Sequence, residues 1–587
     1  MVRVENNRII AETRTLSATF ENGYLTSLKS RASGDGYIGA FDPKAGSALE
    51  LVYRGAPSNN KNGGHNGACM GGAEIRPDEP ATEVSGGRNA KVKAFSVSDS
   101  IAEFRFHNWH ADGVMAIRED AESGDLVVEP SAFSGRAGVR AVRWNISGIA
   151  GGYRLIAPLY QGTEAELEEP LLQGSAFPWP FQWEAGFALL QGKRGGFWVR
   201  AEDTQYRYKQ LKVGAPWNPR SIGLETEAYG PIDENLTAGG LEWRISCYEG
   251  GWEVPAAQYR DWLERAYDLK RQRERRLSWL HDITFAISWC PSSIELLNAL
   301  KKKVDPKKTL LHIPHWRTQK YDQHYPTYIA SAEAIEFFRA ASEMGFHAAP
   351  HCNAFEIDPS HELFPLVEDF RYRKLESNYN EGWAYPAGSR IEVPASRLAL
   401  VTTSPVANTM TKIHPGHGMW LSILRESLQR VVKDTGVDTV FIDITLNTFN
   451  LHNSLVNNMT TTEGAVREIE YLSQIGGGLA LGGEGSNETT MRGLHFCQAH
   501  LLFPWVRSED YGECAKVGAV PLNEFLFGDL CRTIGYSGLS GRTEMEEARM
   551  RIHDAHGAIP TVTVGSAEDI ERPNKMVQWM IDKANSL

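Results

Sequence analysis

Short runs of alternating apolar and polar residues dominate the first 250 residues of the chain. The clearest run is LEWRISCYE at 241–249, in which Leu241, Trp243, Ile245 and Cys247 alternate with polar side chains. A period of two is typical of a strand with one buried face. Similar runs recur between stretches rich in Gly, Asn and Asp, and helical periodicity is scarce. The pattern therefore predicts a large N-terminal β-sandwich over residues 1–250.

The pattern changes after residue 250. Apolar residues at three- and four-residue spacing, among them Tyr259, Trp262 and Leu263, predict a linker helix within residues 251–278. Short apolar runs then alternate with helical patterns, and the predicted strands lie at 283–289, 310–314, 346–351, 439–443, 479–483, 496–502, 526–534 and 558–564. Eight strands separated by helices predict a (β/α)8 TIM-like barrel over residues 279–587. The interval 354–416 is too long for a simple connection and predicts a folded insertion over the active face.

Two of these predicted strands end at a carboxylate. Asp443 ends the run TVFID at 439–443, and Glu484 ends LALGGE at 479–484. Parallel barrel strands deliver such residues to one face, where βα loops build active sites. Two carboxylates at that face suit cleavage of a glycosidic bond, with Asp443 as nucleophile and Glu484 as acid/base. Glu488 is the alternative acid/base, and the glycines before Glu484 would let a substrate approach the backbone.

Polar and aromatic residues near other strand ends extend this candidate site. Hydroxyl groups and pyranose faces of a sugar are bound by such side chains, and the candidate substrate-binding residues are His315, Trp316, His351, Asn353, Trp289 and Trp383. A metal held by His315, His351 and Asp443 is an alternative, but the spacing lacks the helical HExxH geometry. No catalytic metal or other cofactor is therefore expected, whereas a structural divalent cation such as calcium is compatible with the loops.

Composition and charge narrow the class of protein. The net charge of −12, with no concentrated basic face, argues against nucleic-acid binding. No run approaches the roughly 18 apolar residues of a membrane span, and the N-terminus lacks the apolar region of a signal peptide. Seven scattered cysteines without CxxC spacing predict reduced thiols. We expect a cytoplasmic protein, or a secreted one if a leader has been removed, with a carbohydrate substrate as partner and homo-oligomers compatible with the sequence.

The layout and its motifs resemble the retaining α-glycosidases. The motifs are Ala-x-x-Tyr-Arg-x-Trp at 256–262, Phe-Ile-Asp443 and Gly-Gly-Glu484, and the nearest families are glycoside hydrolase families 129 and 101, the α-N-acetylgalactosaminidases and endo-α-N-acetylgalactosaminidases. The resemblance implies a nucleophilic Asp after the fourth barrel strand and an acid/base Glu after the fifth, which correspond to Asp443 and Glu484.

The chain is shorter than the multidomain endo-acting enzymes of these families. The expected function is therefore that of an exo-acting retaining α-glycosidase that prefers a galactose or N-acetylgalactosamine type of substrate. An inverting or metal-dependent hydrolase on the same barrel is one alternative. A non-catalytic carbohydrate-binding protein is another.

Overall fold

A computed structural model describes most of the chain. The described residues are 1–53, 83–86, 90–109, 111–215, 217–230, 234–321, 323–371, 384–385, 407–408, 410–446, 455–476, 478–499, 517–535 and 546–587, with only the backbone described at 83–86, 275, 384–385, 407–408 and 546–549.

The strands of the N-terminal part are β1 (Val2–Glu5), β2 (Arg8–Glu12), β3 (Leu16–Glu21), β4 (Tyr24–Ser30), β5 (Leu49–Tyr53), β6 (Glu83–Gly86), β7 (Lys91–Ser96), β8 (Ile101–His107), β9 (Ala111–Glu119), β10 (Leu126–Ser134), β11 (Val139–Ile146), β12 (Arg154–Ala157), β13 (Thr163–Glu166), β14 (Ala176–Pro178), β15 (Phe187–Gln191), β16 (Gly195–Arg200), β17 (Lys209–Ala215), β18 (Asn218–Glu227), β19 (Thr237–Gly239) and β20 (Trp243–Glu249). The later strands are β21 (Phe285–Ile287), β22 (Thr309–Ile313), β23 (His347–Asn353), β24 (Glu356–Ile357), β25 (Ala384–Tyr385), β26 (Ala407–Asn408), β27 (Thr411–Lys412), β28 (Thr439–Asp443), β29 (Ala480–Glu484), β30 (Phe496–Ala499), β31 (Gly518–Ala519), β32 (Arg532–Gly535) and β33 (Thr561–Val562).

The helices are α1 (Glu253–Tyr267), α2 (Leu269–Arg275), α3 (Trp279–Asp282), α4 (Ile294–Leu300), α5 (Ala332–Met344), α6 (Gly418–Thr435), α7 (Thr461–Leu472), α8 (Leu522–Phe527), α9 (Glu546–His556), α10 (Glu568–Glu571) and α11 (Lys575–Ser586), with 3-10 turns at Pro306–Lys308, Phe364–Leu366 and Glu368–Phe370. The predicted linker helix is thus two helices, because Asp268 between α1 and α2 has a left-handed backbone with φ of 51°.

Antiparallel sheets build the N-terminal part, as the alternating pattern predicts. Among the described residues, one sheet runs β31-β13-β12-β15-β16-β20-β10-β9-β8-β7, a second runs β14-β17-β18-β11-β5-β6, and a third consists of β1 to β4. In β20, Trp243 and Ile245 are fully buried. Side chains from all three sheets contribute to one hydrophobic core.

A parallel sheet builds the C-terminal part. Its order is β32-β30-β29-β28-β23-β22-β21-β33, and a parallel bridge from Ile534 to Ile559, just before β33, nearly closes it into a barrel. One predicted strand was partly wrong. Residues 526–534 begin in α8 and become strand only at β32, because Leu522, Leu526 and Phe527 have helical spacing and pack into the N-terminal core.

Alternation along the barrel strands decides which residues reach the site. Ala286, Leu310, Ala349, Phe441 and Phe496 pack together inside the barrel. The residues beside them, such as Leu311 and Ile442, belong to the layer shared with the surrounding helices. Because side chains alternate along a strand, the residue two positions after each inner-layer residue also faces the barrel interior, closer to the C-terminal end of the strands. Asp443, two positions after Phe441, is one example.

Two further observations concern the whole chain. The core of the N-terminal sheets includes Val517, Val520 and Leu530 from the C-terminal part, so it crosses the predicted boundary at residue 279. In the described part of the chain, no helix is long and apolar enough to span a membrane.

Candidate active site

Asp443 and Glu484 lie side by side at the C-terminal ends of neighbouring parallel strands. Ile442 of β28 is in register with Gly483 of β29, so the next residue of each strand is a carboxylate. The two carboxyl groups share a hydrogen bond. The side chain of Asp443 is 18% exposed, whereas Glu484 is 5% exposed. The pair thus sits at the mouth of the barrel with Glu484 deeper than Asp443.

The environment of Glu484 favours the protonated form of its carboxyl. Burial is the largest cause that raises the pKa of Glu484 well above its usual range, and the adjacent Asp443 charge raises it further. The Ile444 N–H and the charge of Lys412 oppose the shift. Two neighbouring carboxyl groups do not ionise together easily, and in this pair it is the pKa of Glu484 that is raised.

The backbone after Asp443 is shaped to hold Glu484. Ile444 has φ of 58°, an unfavourable value for a β-branched residue, and its N–H donates to Glu484 Oε2 at 3.0 Å. The hydroxyl of Thr445 accepts from the Glu484 N–H at 2.8 Å and donates to the Glu484 carbonyl at 2.9 Å. Three hydrogen bonds therefore fix the end of β29 against the turn after β28.

The glycines before Glu484 have a different role from the predicted one. A Cβ at Gly482 would lie 2.0 Å from the Phe496 ring, and one at Gly483 would lie 2.5 Å from the Thr445 hydroxyl. Both positions are filled by the protein itself. The expectation that they open the backbone to substrate is corrected: they allow β29 to pack against its neighbours.

Glu488, the alternative acid/base, points to the N-terminal sheets. Its carboxylate accepts from Trp179 Nε1 at 2.6 Å, from the Gly186 N–H at 3.3 Å and from the Tyr259 hydroxyl, and the charge of Lys209 acts on it as well. It is 2% exposed. These partners bind Glu488 into the contact between the two parts of the chain rather than beside Asp443.

Two histidines form a chain of contacts behind Asp443. His351, on β23, lies with Nε2 3.6 Å from Asp443 Oδ2, and its Nδ1 is 3.0 Å from Nε2 of His312 on β22. His351 was among the predicted residues. His312 was missed because its neighbours in LLHIP are apolar, although its position two residues beyond Leu310 could have placed it in the interior.

Two of the remaining predicted substrate-binding residues, Trp289 and His315, lie at the edge of the site. Trp289 is partly exposed, and its ring lies 5.6 Å from that of Tyr321 and 6.3 Å from that of His351, so it borders the site. His315 is exposed, with its ring 5.7 Å from Tyr321. Tyr321 and the rings around it therefore form an aromatic wall next to His351.

Trp316 and Asn353 are structural instead of substrate-facing. Trp316 is 2% exposed in the layer outside the barrel and donates Nε1 to the His351 carbonyl at 2.9 Å. The Asn353 side chain accepts from the N–H groups of Phe355 and Glu356, both at 3.0 Å, and so shapes the loop after β23. Neither side chain has a face left for a sugar. Trp383 lies outside the described residues.

The insertion after β23 and the N-terminal sheets both reach the site. Lys412 of β27 is fully buried, is paired in register with Glu356 of β24, and acts electrostatically on Glu484. Phe181, from the segment before β15, packs against Leu446, three residues after Asp443. Neither residue was expected, since each comes from sequence far from the two carboxylates.

The described residues offer no cluster of three or more His, Cys, Asp or Glu side chains suited to a metal ion. The alternative metal site of His315, His351 and Asp443 is not assembled. The His315 ring packs against Tyr321, and His351 Nδ1 is hydrogen-bonded to His312.

A family model described as "Domain of unknown function (DUF6259)" matches residues 241–537, just over half of the chain. The protein belongs to the DUF6259 family. No curated protein matches its sequence. The matched range begins at the last strand of the N-terminal sheets and includes both Asp443 and Glu484, so the candidate site lies within the family's shared region.

Solved structures share the fold of this DUF6259 protein along its whole length. The α-N-acetylgalactosaminidase NagBb from Bifidobacterium bifidum, in complex with Gal-NHAc-DNJ, is 12% identical with a TM-score of 0.64, and the match covers 100% of this chain and 92% of NagBb. A GH31 family sulfoquinovosidase from E. rectale, in complex with the aza-sugar inhibitor IFGSQ, is 10% identical with a TM-score of 0.51, covering 100% and 83%. At these identities the likeness shows a common fold.

Proposed function

We propose that this protein is a retaining α-glycosidase in which Asp443 is the nucleophile and Glu484 the acid/base. The observation that carries the proposal is the pair itself: a buried Glu484 carboxyl with a raised pKa beside the partly exposed carboxyl of Asp443, on adjacent parallel strands at the C-terminal end of a barrel. Environments that hold one carboxyl protonated beside another that is ionised are the usual basis of acid and nucleophile roles.

The two groups have complementary parts in such a reaction. Protonated Glu484 gives its proton to the glycosidic oxygen while Asp443 attacks the anomeric carbon, which yields a covalent glycosyl-enzyme and a free leaving group. Glu484, now ionised, takes a proton from water as that water attacks the anomeric carbon and releases Asp443. Retention needs carboxyls about 5 to 5.5 Å apart, and inversion needs about 6.5 to 9.5 Å. A pair in direct contact favours the shorter separation, reached when substrate replaces the contact.

The preferred substrate is an α-linked galactose or N-acetylgalactosamine type of sugar, cleaved in the exo mode. Support comes from the fold shared with NagBb, a protein whose structures contain GalNAc or Gal-NHAc-DNJ, over the whole chain. A relation to glycoside hydrolase families 129 and 101 belongs to the same proposal. The aromatic wall of Trp289 and Tyr321 next to His351 supplies an apolar surface of the kind on which a pyranose ring stacks.

The test is turnover of a panel of aryl α- and β-glycosides by wild type and by Asp443→Ala with added azide. We expect hydrolysis of one α-glycoside, loss of hydrolysis in the variant, and formation of the β-glycosyl azide when azide enters the space left by the carboxylate. Asp438→Ala is the matched control, because Asp438 precedes the same strand at its opposite end and is 46% exposed.

Full activity of Asp443→Ala would refute the nucleophile. Hydrolysis with an inverted product, or activity lost to a chelator and restored by a metal, would support the alternative hydrolases. Sugar binding without turnover would identify a carbohydrate-binding protein instead.

A further inference from the structure

The side chains of His312 and His351 connect the backbone of one barrel strand to the proposed nucleophile on another. We propose that this pair is a neutral relay with one fixed tautomer, which holds and orients the Asp443 carboxylate when substrate separates it from Glu484. His312 and His351 are thus positioning residues for the reaction. The inference rests on the proposed role of Asp443, but the tautomers themselves can be tested without it.

The direction of the relay is set by a backbone donor. The Trp289 N–H donates to His312 Nδ1 at 3.3 Å, and Gln498 Nε2 lies 3.1 Å from the same nitrogen while donating to the Ser288 hydroxyl at 2.9 Å. A backbone N–H cannot change roles, so His312 Nδ1 must be an acceptor. The single proton of a neutral His312 is therefore on Nε2.

The next step follows from the first. His312 Nε2 is 3.0 Å from His351 Nδ1, and because His312 supplies the proton, His351 Nδ1 must accept it. The proton of His351 is then on Nε2, the atom that faces Asp443 Oδ2 at 3.6 Å. Each ring thus donates toward the nucleophile and accepts from the direction of Trp289.

His351 Nε2 is poised to donate rather than already bonded. It is buried, and within the described ranges it has no hydrogen-bond partner at ordinary distance. The 3.6 Å gap is too long for a hydrogen bond, because Asp443 is hydrogen-bonded to Glu484 in this state. When the substrate takes the Glu484 proton, Asp443 loses that partner and His351 is the nearest donor. Catalytic hydrogen bonds that are long without ligand commonly tighten in this way.

The hydrogen-bond geometry offers no acceptor for a second proton on the inner nitrogen of either ring. A second proton on His351 would have to point at the Nε2–H of His312, and a second proton on His312 would have to point at the Trp289 N–H. Burial, followed by the nearby His351 and His315, holds the pKa of His312 well below its usual range. The other titratable groups are Asp443 itself, Glu484 and Lys412 beyond it, and Tyr321 over the His351 ring.

A neutral donor is chemically suited to this task. A full positive charge beside Asp443 would stabilise the carboxylate and weaken it as a nucleophile, whereas an imidazole N–H orients one oxygen and leaves the other free to attack. The stacking of His351 on Phe441, with ring centroids 5.5 Å apart, fixes the ring plane from which the hydrogen bond is made.

The first arm of the test reads the tautomers directly in the full-length protein. The chain contains 17 histidines, so it would be labelled with 15N in histidine alone, and the signals of interest assigned from His312→Gln and His351→Gln. We expect both rings to be neutral Nε2–H tautomers with no titration between pH 5 and 8, and Asp443→Asn to shift the His351 Nε2–H signal. An Nδ1–H tautomer, or a cationic ring near pH 6, would overturn the relay.

The second arm uses a matched pair of substitutions. The amide nitrogen of Gln can occupy the place of His Nε2, whereas that of Asn reaches only the place of Nδ1. We therefore expect His351→Asn to lower kcat about 10- to 100-fold with little change in KM, as for loss of a hydrogen bond to a charged group, and His351→Gln to retain most of the activity. His347→Gln, at the opposite end of the same strand and stacked on Trp279, is the control.

The two proposals fail in different ways. If wild type hydrolyses an α-glycoside through Asp443 but His351→Asn is as active as His351→Gln, the relay is refuted and the function stands. If the tautomers are as expected and no glycoside is cleaved, the hydrogen-bond relay stands and the proposed function fails.

Discussion

Glu484 is held where its proton is hard to remove. The carboxyl is buried next to Asp443, whereas the Ile444 N–H and the charge of Lys412 favour its ionised form. The left-handed backbone of Ile444 costs about 1 to 3 kcal/mol. This conformation turns the Ile444 N–H toward Glu484, and the resulting hydrogen bond fixes the direction of the carboxyl. At the residue scale, burial raises the pKa of Glu484 and the turn at Ile444 fixes the direction of its carboxyl, which suits the proposed role of acid.

The pH dependence of turnover should therefore report Glu484. Burial and the adjacent Asp443 raise the pKa of Glu484 well above its usual range, so activity is expected to fall as the pH rises through that raised value. Glu484→Gln should lose about 10²- to 10⁴-fold on glycosides with a poor leaving group. It should lose far less on an activated aryl glycoside, and there the basic limb of kcat/KM should vanish. Steady-state kinetics from pH 5 to 9 would measure this.

Glu488→Gln is the control for that experiment, since it makes the same substitution at a buried carboxyl four residues away. Its partners Trp179, Gly186 and Tyr259 lie in the N-terminal part and the first linker helix, so it should lower the melting temperature and leave the basic limb in place. A profile altered by Glu488→Gln and untouched by Glu484→Gln would exchange their roles.

Helix α7 shows how an element can fold around an unfavourable side chain. A capping box of Thr460 and Glu463 begins the helix, and its buried face includes Val466, Ile469 and Leu472. Glu468 lies on that face with no exposure, and among the described residues neither carboxyl oxygen has a hydrogen-bond partner. Burial raises the pKa of Glu468 well above its usual range, so the helix folds with this group neutral.

Glu468→Gln should stabilise the protein at high pH. In the unfolded chain Glu468 ionises above about pH 4.3, so folding must return a proton to it, and this cost grows as pH rises toward the raised folded pKa. Removing the cost should raise Tm by about 1 to 3 °C at pH 8 and by much less at pH 5. Thermal scans at both pH values test this, and an equal shift at both would mean that Glu468 is not the titrating group.

The two parts of the chain share one structure at the scale of the whole molecule. Strand β31 from the C-terminal part pairs with β13, and Val520, Leu526 and Phe527 complete the core of the N-terminal sheets. Arg260 and Arg273 of the linker helices both bind Asp529. The site depends on this contact, because Phe181 reaches Leu446 and Glu488 is held from the other side.

We predict that residues 279–587 do not fold alone. Separation would expose the apolar side chains of α8, a cost of the order of several kcal/mol, and would remove the donors Trp179, Gly186 and Tyr259 from Glu488. The fragment should be aggregated or lack a cooperative thermal transition by circular dichroism, and co-expression with residues 1–278 should restore a soluble complex. A monomeric fragment with a sharp transition would contradict the prediction.

Part of the fold and of the site could be predicted because it depends on local pattern. The run TVFID at 439–443 coincides with β28, and LALGGE at 479–484 includes β29, since uninterrupted apolar residues ending at a charge specify a buried strand and its mouth. The strand proposed at 526–534 was partly wrong because a short apolar run is compatible with helix or strand until its packing partner is known. Trp316 was assigned to the substrate, although its ring was needed in the layer outside the barrel.

The sequence by itself determined that this is a chain of antiparallel sheets followed by a parallel barrel, with Asp443 and Glu484 at strand ends. Backbone hydrogen bonding imposes periods of two and of 3.6 residues, and burial marks those periods in the order of apolar and polar residues. Only the tertiary structure decided that Asp443 raises the pKa of a buried Glu484, that His312 stands behind His351, and that Glu488 turns away to Trp179 and Tyr259. Those contacts join residues that are far apart in the chain. Strand register and packing bring such residues together, as with His312 and His351 at 3.0 Å and His351 and Asp443 at 3.6 Å, and no local pattern encodes either.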